Sequence, residues 1–214
     1  MEKLLNADLR KQIKDFLSPM KDAISIVLFT QEENCPSCHD TKQLLGEVAD
    51  LSDKITFVTK DIKEDAEEAK KYGVTMTPSF VMLDSKHTYH GVKFNGIPAG
   101  HEINSFLTAI LDMSGVDFGL DQQLIDRIKK INKPVNIKVF VTLSCPHCPG
   151  AVNKAHKLAM LNEHIEGEMI EAQTFMELSN KFKVQGVPKI VINEKYELVG
   201  NQPIEAFLTE LERI

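Results

Sequence analysis

Two stretches of the chain, 110 residues apart, share one order of apolar and polar positions. In the first, the apolar run Ile26–Phe29 leads through a polar turn into a helical pattern that opens at Cys35. In the second, Val139–Val141 leads through a shorter turn into a helical pattern that opens at Cys145. A short β-branched or aromatic run followed by apolar residues at helical spacing predicts a strand, a turn and a helix. The chain therefore contains an internal repeat of this unit.

The same periodicity extends the repeat over the whole chain. Each half is predicted to be a leading helix followed by a β-α-β-α-β-β-α unit. The predicted elements of the first half are helix 2–17, strand 24–29, a helix to about residue 51, strand 55–59, helix 63–71, strands 79–83 and 87–94, and helix 98–113. Those of the second half are helix 120–131, strand 135–141, a helix to residue 161, strand 165–171, helix 175–182, strands 189–192 and 196–199, and helix 204–211. We place the boundary between two domains, 1–114 and 115–214, at a glycine-containing linker.

A pair of cysteines opens the dithiol helix of each half. The motifs are Cys-Pro-Ser-Cys from Cys35 and Cys-Pro-His-Cys from Cys145. Backbone N–H groups at a helix N-terminus favour thiolate over thiol, so Cys145 is a candidate nucleophile. Cys148, three residues on, is placed to attack a mixed disulfide at Cys145 and release the partner. His147 is expected to lower the thiol pKa further, and Pro146 suits the first helical position.

Composition and charge narrow the classes of function. The chain has 43% apolar residues, 26% charged residues and a net charge of −6, without a basic cluster, so we expect neither nucleic acid nor membrane as a partner. There is no signal-peptide core and no apolar run of membrane-spanning length, and we expect a cytoplasmic protein. All four cysteines belong to the two motifs, which in that compartment indicates catalysis or metal binding.

The repeated motif resembles that of thioredoxin and glutaredoxin domains. Each half has a C-P-x-C after its first core strand, and a proline at a strand start 40 residues after the second cysteine, Pro78 or Pro188. The tandem arrangement is similar to the protein disulfide oxidoreductases of archaea and thermophilic bacteria, a glutaredoxin-like family. The stretches 94–102, 148–149 and 187–192 add to this likeness. The resemblance implies an α/β fold of two tandem thioredoxin-like domains, each a central mixed β-sheet flanked by helices with an extra N-terminal helix.

The resemblance also implies an activity and a set of site residues. The activity is the formation, reduction or isomerisation of protein disulfides, with client proteins and a thioredoxin-reductase-like flavoprotein as partners. No metal and no cofactor other than the redox-active disulfides are expected. Cys35 and Cys145 would be the attacking thiols, and Cys38 and Cys148 the resolving thiols. The residues expected to tune the pKa are Pro36, Pro146 and His147, and those expected to bind substrate are Thr77, Val187 and the cis-prolines Pro78 and Pro188. The buried acid that thioredoxins carry in the strand before the dithiol is an apolar residue in both halves.

Charged residues around the two motifs differ in sign. Glu32, Glu33 and Asp40 flank the first motif, whereas no acidic residue occurs between Arg127 and Asn162. The bases around the second motif are Lys133, Lys138, Lys154, Lys157, His147 and His156. Opposite charge lowers a thiol pKa and like charge raises it, so we expect Cys145–Cys148 to be the more oxidising couple.

Two other functions remain open at this point. The chain could be a dedicated electron carrier for a peroxiredoxin or a reductase, because the tandem domain of the alkyl hydroperoxide reductase flavoprotein is built in the same way. It could instead be a zinc- or iron–sulfur-binding module, because four thiolates are a common ligand set. The second alternative requires the two motifs to converge in space.

Overall fold

The computed structural model describes residues 3–214, which form eight α-helices and eight β-strands. The elements are α1 (Ala7–Leu17), β1 (Ile24–Thr30), α2 (Cys38–Ala49), β2 (Ile55–Asp61), α3 (Ala66–Lys71), β3 (Ser79–Leu83), β4 (Tyr89–Asn95), α4 (Ile103–Met113), α5 (Gln122–Lys129), β5 (Val135–Val141), α6 (Cys148–Leu161), β6 (Ile165–Glu171), α7 (Met176–Lys181), β7 (Lys189–Ile192), β8 (Tyr196–Val199) and α8 (Ile204–Leu211). The predicted order of elements is confirmed.

The first helix begins later than the sequence pattern suggests. Glu2, its predicted start, lies outside the described residues. Helix α1 starts at Ala7 because Asn6 is its N-cap and accepts a hydrogen bond from the Leu9 N–H at 2.9 Å. Such a side chain satisfies one of the N–H groups that the first turn leaves without a partner.

All eight strands belong to one sheet, in the order β2-β1-β3-β4-β6-β5-β7-β8. The two tandem thioredoxin-like units are each present, but their sheets are joined because β4 pairs in parallel with β6 over Val92–Asn95 and Gly167–Ile170. The predicted mixed sheet of each half is present, and the two are joined into one sheet, which the sequence did not predict. In an isolated first half β4 would be an edge strand, and pairing with β6 satisfies its outer N–H and C=O groups.

Glycine makes this joining possible where the two halves come closest. A Cβ atom added to Gly91 would lie 2.4 Å from the carbonyl oxygen of Ile165, and Gly91 has a φ of +74°. Any other residue would push the two halves apart and adopt an unfavourable backbone conformation.

The apolar side chains form cores on both faces of the sheet. One large core lies between the sheet and helices α1, α2, α4, α5, α6 and α8. On the opposite face, α3 and α7 each cover a smaller core, with Tyr72 and Phe182 as the largest helix-side residues. Within residues 3–214, no helix is long and apolar enough to cross a membrane.

Between α3 and α7 the central strands carry charged and amide side chains. Lys93 Nζ lies 2.8 Å from Glu166 Oε1, and Asn95 Nδ2 donates to Glu168 Oε2 at 3.0 Å. Lys93 and Asn95 belong to the first half, and the two glutamates to the second. Buried polar groups are retained when they are paired in this way, so the network fixes one half against the other.

Candidate active site

The two cysteine pairs lie at equivalent places, each between a core strand and a helix. Disulfides join Cys35 to Cys38 and Cys145 to Cys148. The second cysteine of each pair is the first residue of its helix, so the first cysteine lies in the preceding turn. Cys145 is 8% exposed and Cys148 is fully buried, so Cys145 is the more accessible of the two sulfur atoms. Cys35 is likewise more exposed than Cys38.

Pro146 is not at the first helical position, so that prediction is wrong. The chain makes a short turn between the two bonded cysteines, and α6 starts only at Cys148, with Pro149 in its first turn. Pro146, His147 and Pro36 are exposed in these turns.

The N-termini of α2 and α6 retain N–H groups that no capping side chain uses. The side chains of their N-caps, Ser37 and His147, accept no hydrogen bond from the helix. Unpaired N–H groups and the positive end of the helix dipole stabilise a thiolate beside them. The local structure therefore favours ionised cysteine at both sites.

Each half has a loop with a cis peptide bond, and in the second half this loop lies beside the cysteine pair. The cis bonds are Thr77–Pro78 and Val187–Pro188, as the resemblance implies. The carbonyl oxygen of Val187 lies 3.9 Å from Cys145 Sγ. Both prolines are buried and immediately precede a strand, while Thr77 and Val187 are partly exposed. An extended polypeptide could form backbone hydrogen bonds with such a loop.

Both sites lie at the same edge of the sheet but do not converge. Strands β1 and β5 run in the same direction, because two antiparallel pairings and two parallel pairings connect them. Three strands separate them, so at the usual strand spacing their ends are roughly 19 Å apart. Four thiolates at this separation cannot bind one zinc ion or one iron–sulfur cluster. The described part of the chain also contains no cluster of three or more metal-ligating side chains.

Tertiary contacts reduce the charge difference between the sites that the sequence indicates. Lys138 Nζ lies 3.4 Å from Glu168 Oε1, and Lys157 Nζ lies 3.9 Å from Asp112 Oδ2. His156 is fully buried, and the loss of hydration lowers its pKa to about 4, so it is neutral near pH 7. These three bases therefore add little positive potential at the second site.

Part of the difference remains at the helix N-termini themselves. The first turn of α2 contains Asp40, whereas the first turn of α6 contains no acidic residue. A carboxylate there opposes the helix dipole's effect on a thiolate.

Sequence analysis missed a buried acid near the second site. Glu102 belongs to the first half, in a 3₁₀ turn whose His101 N–H donates to the Leu143 carbonyl at 2.9 Å, two residues before Cys145. Burial raises the pKa of Glu102 to about 7, although a hydrogen bond from the Ser105 hydroxyl acts in the opposite direction. Its Oε1 atom has no hydrogen-bond partner.

Comparison with known proteins agrees with this fold. The chain matches the profile of the thioredoxin domain twice, over residues 23–108 and 135–213. It is 32% identical over 209 residues to the F component of alkyl hydroperoxide reductase from Staphylococcus epidermidis, covering 97% of this chain and 38% of that protein. The chain thus spans well under half the length of this relative.

Two solved structures cover nearly the whole chain. The F component of alkyl hydroperoxide reductase from Enterococcus faecalis has a TM-score of 0.92 and 28% identity, over 98% of this chain and 100% of that chain. A protein disulfide oxidoreductase from Aeropyrum pernix has a TM-score of 0.90 and 26% identity, over 98% of this chain and 94% of that chain. The tandem arrangement inferred from the repeat is confirmed.

Proposed function

We propose, because the chain belongs to the thioredoxin domain family and carries two C-x-x-C disulfides, that it passes electron pairs between a reductase and the disulfide of a partner protein. It is a thiol–disulfide oxidoreductase, and the disulfides serve as its redox groups without a further cofactor. We place the reaction in the cytoplasm. The observation that supports the proposal is the 3.9 Å distance between Cys145 Sγ and the Val187 carbonyl, in the loop that we propose binds an extended polypeptide.

The reaction at the second site is disulfide exchange in two steps. The Cys145 thiolate attacks one sulfur of the partner's disulfide, and the partner's other sulfur leaves as a thiolate, which takes a proton. The Cys148 thiol then loses its proton and attacks Cys145 Sγ, which restores the Cys145–Cys148 disulfide and releases the partner's second sulfur. One electron pair passes to the partner, which gains two protons. Cys35 and Cys38 take the same roles at the first site.

We assign the higher reduction potential to Cys145–Cys148. Asp40 opposes thiolate formation at the first site, and α6 has no acid in the matching turn. A more stable thiolate stabilises the reduced form of a couple and so makes that couple the stronger oxidant. The first site would then receive electrons less readily than the second.

The two relatives favour different electron donors and acceptors for this chain. The F component of alkyl hydroperoxide reductase from Staphylococcus epidermidis is aligned along almost the whole of this chain, which favours a flavoprotein as the electron donor and a peroxiredoxin as the acceptor. The likeness to the Aeropyrum pernix protein disulfide oxidoreductase favours a second function, in which client proteins have disulfides formed, reduced or isomerised.

One comparison of substrates distinguishes these functions. The reduced protein is mixed with an oxidised peroxiredoxin or with insulin, and loss of its thiols is followed over time. A carrier reduces the peroxiredoxin at least about tenfold faster than insulin, whereas a general oxidoreductase shows no such preference. If the reduced protein transfers electrons to neither, and Cys145→Ser changes nothing, the proposal is wrong.

A further inference from the structure

The loops that carry Pro78 and Pro188 follow the two shortest helices of the fold. Helices α3 and α7 have six residues each. The chain leaves them through left-handed residues, Gly73 with a φ of +61° and Lys183 with a φ of +49°. The backbone itself closes part of each helix end, because the Val74 N–H donates to the Ala69 carbonyl at 2.8 Å and the Val184 N–H donates to the Ser179 carbonyl at 2.9 Å. The carbonyls of Gly73 and Phe182, at the start of each loop, are bound by side chains from outside the helix.

In the first half, a buried lysine supplies such a contact. The Lys93 side chain is 2% exposed, and its Nζ donates to the Gly73 carbonyl at 2.9 Å. The same ammonium lies 2.8 Å from Glu166 Oε1, so its charge is compensated by a residue of the second half.

In the second half, a different lysine makes the matching contact. Lys189 Nζ donates to the Phe182 carbonyl at 2.7 Å and lies 3.0 Å from Glu197 Oε2. Its compensating acid belongs to the same half. Lysine side chains commonly bind the last carbonyls of a helix in this way.

The two lysines do not occupy equivalent positions of the repeat. Lys189 directly follows Pro188, and the residue that directly follows Pro78 is Ser79. Lys93 comes from the neighbouring strand β4 instead. Copying of one half into the other does not account for both lysines, which indicates that the contact itself serves the loop.

We propose that Lys93 and Lys189 are positioning residues that hold the two cis-proline loops in the conformation that binds an extended partner polypeptide. This inference rests on the proposed function and adds to it. Burying an ammonium is unfavourable unless it is paired, and here each pair is used to hold a loop end. Because Glu166 belongs to the second half, polypeptide binding at the first site depends on both halves, whereas the second site depends on its own half.

The test measures each dithiol alone. Cys145→Ser/Cys148→Ser leaves only the first site, and Cys35→Ser/Cys38→Ser leaves only the second. Lys93→Met or Lys189→Met is added to each, and kcat and KM are measured with insulin and with hydroxyethyl disulfide, which has no polypeptide to bind.

Lys93→Met should raise KM for insulin at the first site about tenfold, as expected for a lost hydrogen bond to a charged group. Its rate with hydroxyethyl disulfide, and both rates at the second site, should change by less than about twofold.

Each lysine is the matched control for the other. Lys189→Met should raise KM for insulin at the second site and leave the first site nearly unchanged. Glu166→Gln, which leaves both lysines in place, should raise KM for insulin only at the first site. The inference is wrong if Lys93→Met slows hydroxyethyl disulfide as much as insulin, or affects both sites equally. If the parent protein reduces neither substrate at either site, nor an oxidised peroxiredoxin, the proposed function itself has failed, and that result is distinguishable because it needs no lysine variant.

Discussion

At the residue scale, burial moves two titratable groups near the second site in opposite directions. Glu102 has a pKa raised to about 7, and His156 has a pKa lowered to about 4, because each loses water that would stabilise its charged form. Glu102 is therefore partly protonated near neutral pH, and His156 is neutral. The folded protein accordingly becomes less stable as pH rises through the range of Glu102, and less stable as pH falls below the ordinary pKa of histidine.

Replacing Glu102 with glutamine should remove one of these dependences. A carboxyl with a pKa of 4.5 when unfolded and about 7 when folded costs about 3 kcal/mol of stability, and this cost develops as pH rises from 4.5 to 7. The free energy of unfolding of Glu102→Gln minus that of the parent protein should therefore rise across this window and stay constant outside it. Urea denaturation between pH 4 and pH 8 measures it. A difference that does not vary with pH would contradict the assignment.

The site could be predicted from sequence only where its residues repeat. Both cysteine pairs and both cis-prolines occur in a motif that recurs 110 residues later, and in the second half the carbonyl of Val187 lies 3.9 Å from Cys145 Sγ. Glu102 could not be assigned in this way, because it belongs to the first half and comes near the second site only through the contact of its neighbour His101 with Leu143. The compensation of Lys138 by Glu168 depends on the same kind of long-range contact.

At the element scale, the strands follow from the pattern of apolar residues, but the joining of the two sheets does not. The sequence predicts β4 as the last strand of a first sheet, and an apolar strand pattern does not specify which strand pairs with its outer edge. Every residue from Gly91 to Gly96 is buried, because β6 covers the outer edge of β4. A glycine within a strand can mark a close approach of another backbone. Gly91 is the residue from which this pairing could have been suspected.

Two glycine substitutions separate this close approach from backbone conformation. Gly91 and Gly119 both have positive φ values, +74° and +68°, but a Cβ at Gly119 would meet nothing within 4 Å. Both changes to alanine carry the cost of a left-handed residue. Gly91→Ala should lower the free energy of unfolding by about 2 kcal/mol more than Gly119→Ala, because its Cβ overlaps Ile165. Urea denaturation of both variants measures the difference, and equal losses would show that the two halves are not packed as described.

At the scale of the whole molecule, one sheet presents both dithiols at one edge while keeping them apart. Disulfide exchange requires direct contact between sulfur atoms, and three strands separate β1 from β5. Any exchange of electrons between the sites therefore requires a partner or a second copy of the chain, and we expect each site to act as a separate couple. The pairing of β4 with β6 and the polar contacts of Lys93 with Glu166 and of Asn95 with Glu168 hold the two halves together.

The most direct test of two separate redox couples is a titration in a glutathione buffer, with each cysteine pair quantified by alkylation and mass spectrometry. We expect an internal disulfide in each pair, two two-electron transitions, and the higher potential for Cys145–Cys148. If neither pair forms an internal disulfide at any potential, the chain is not a thiol–disulfide oxidoreductase. If all four cysteines instead titrate as one coupled unit, the separation of the two sites is wrong.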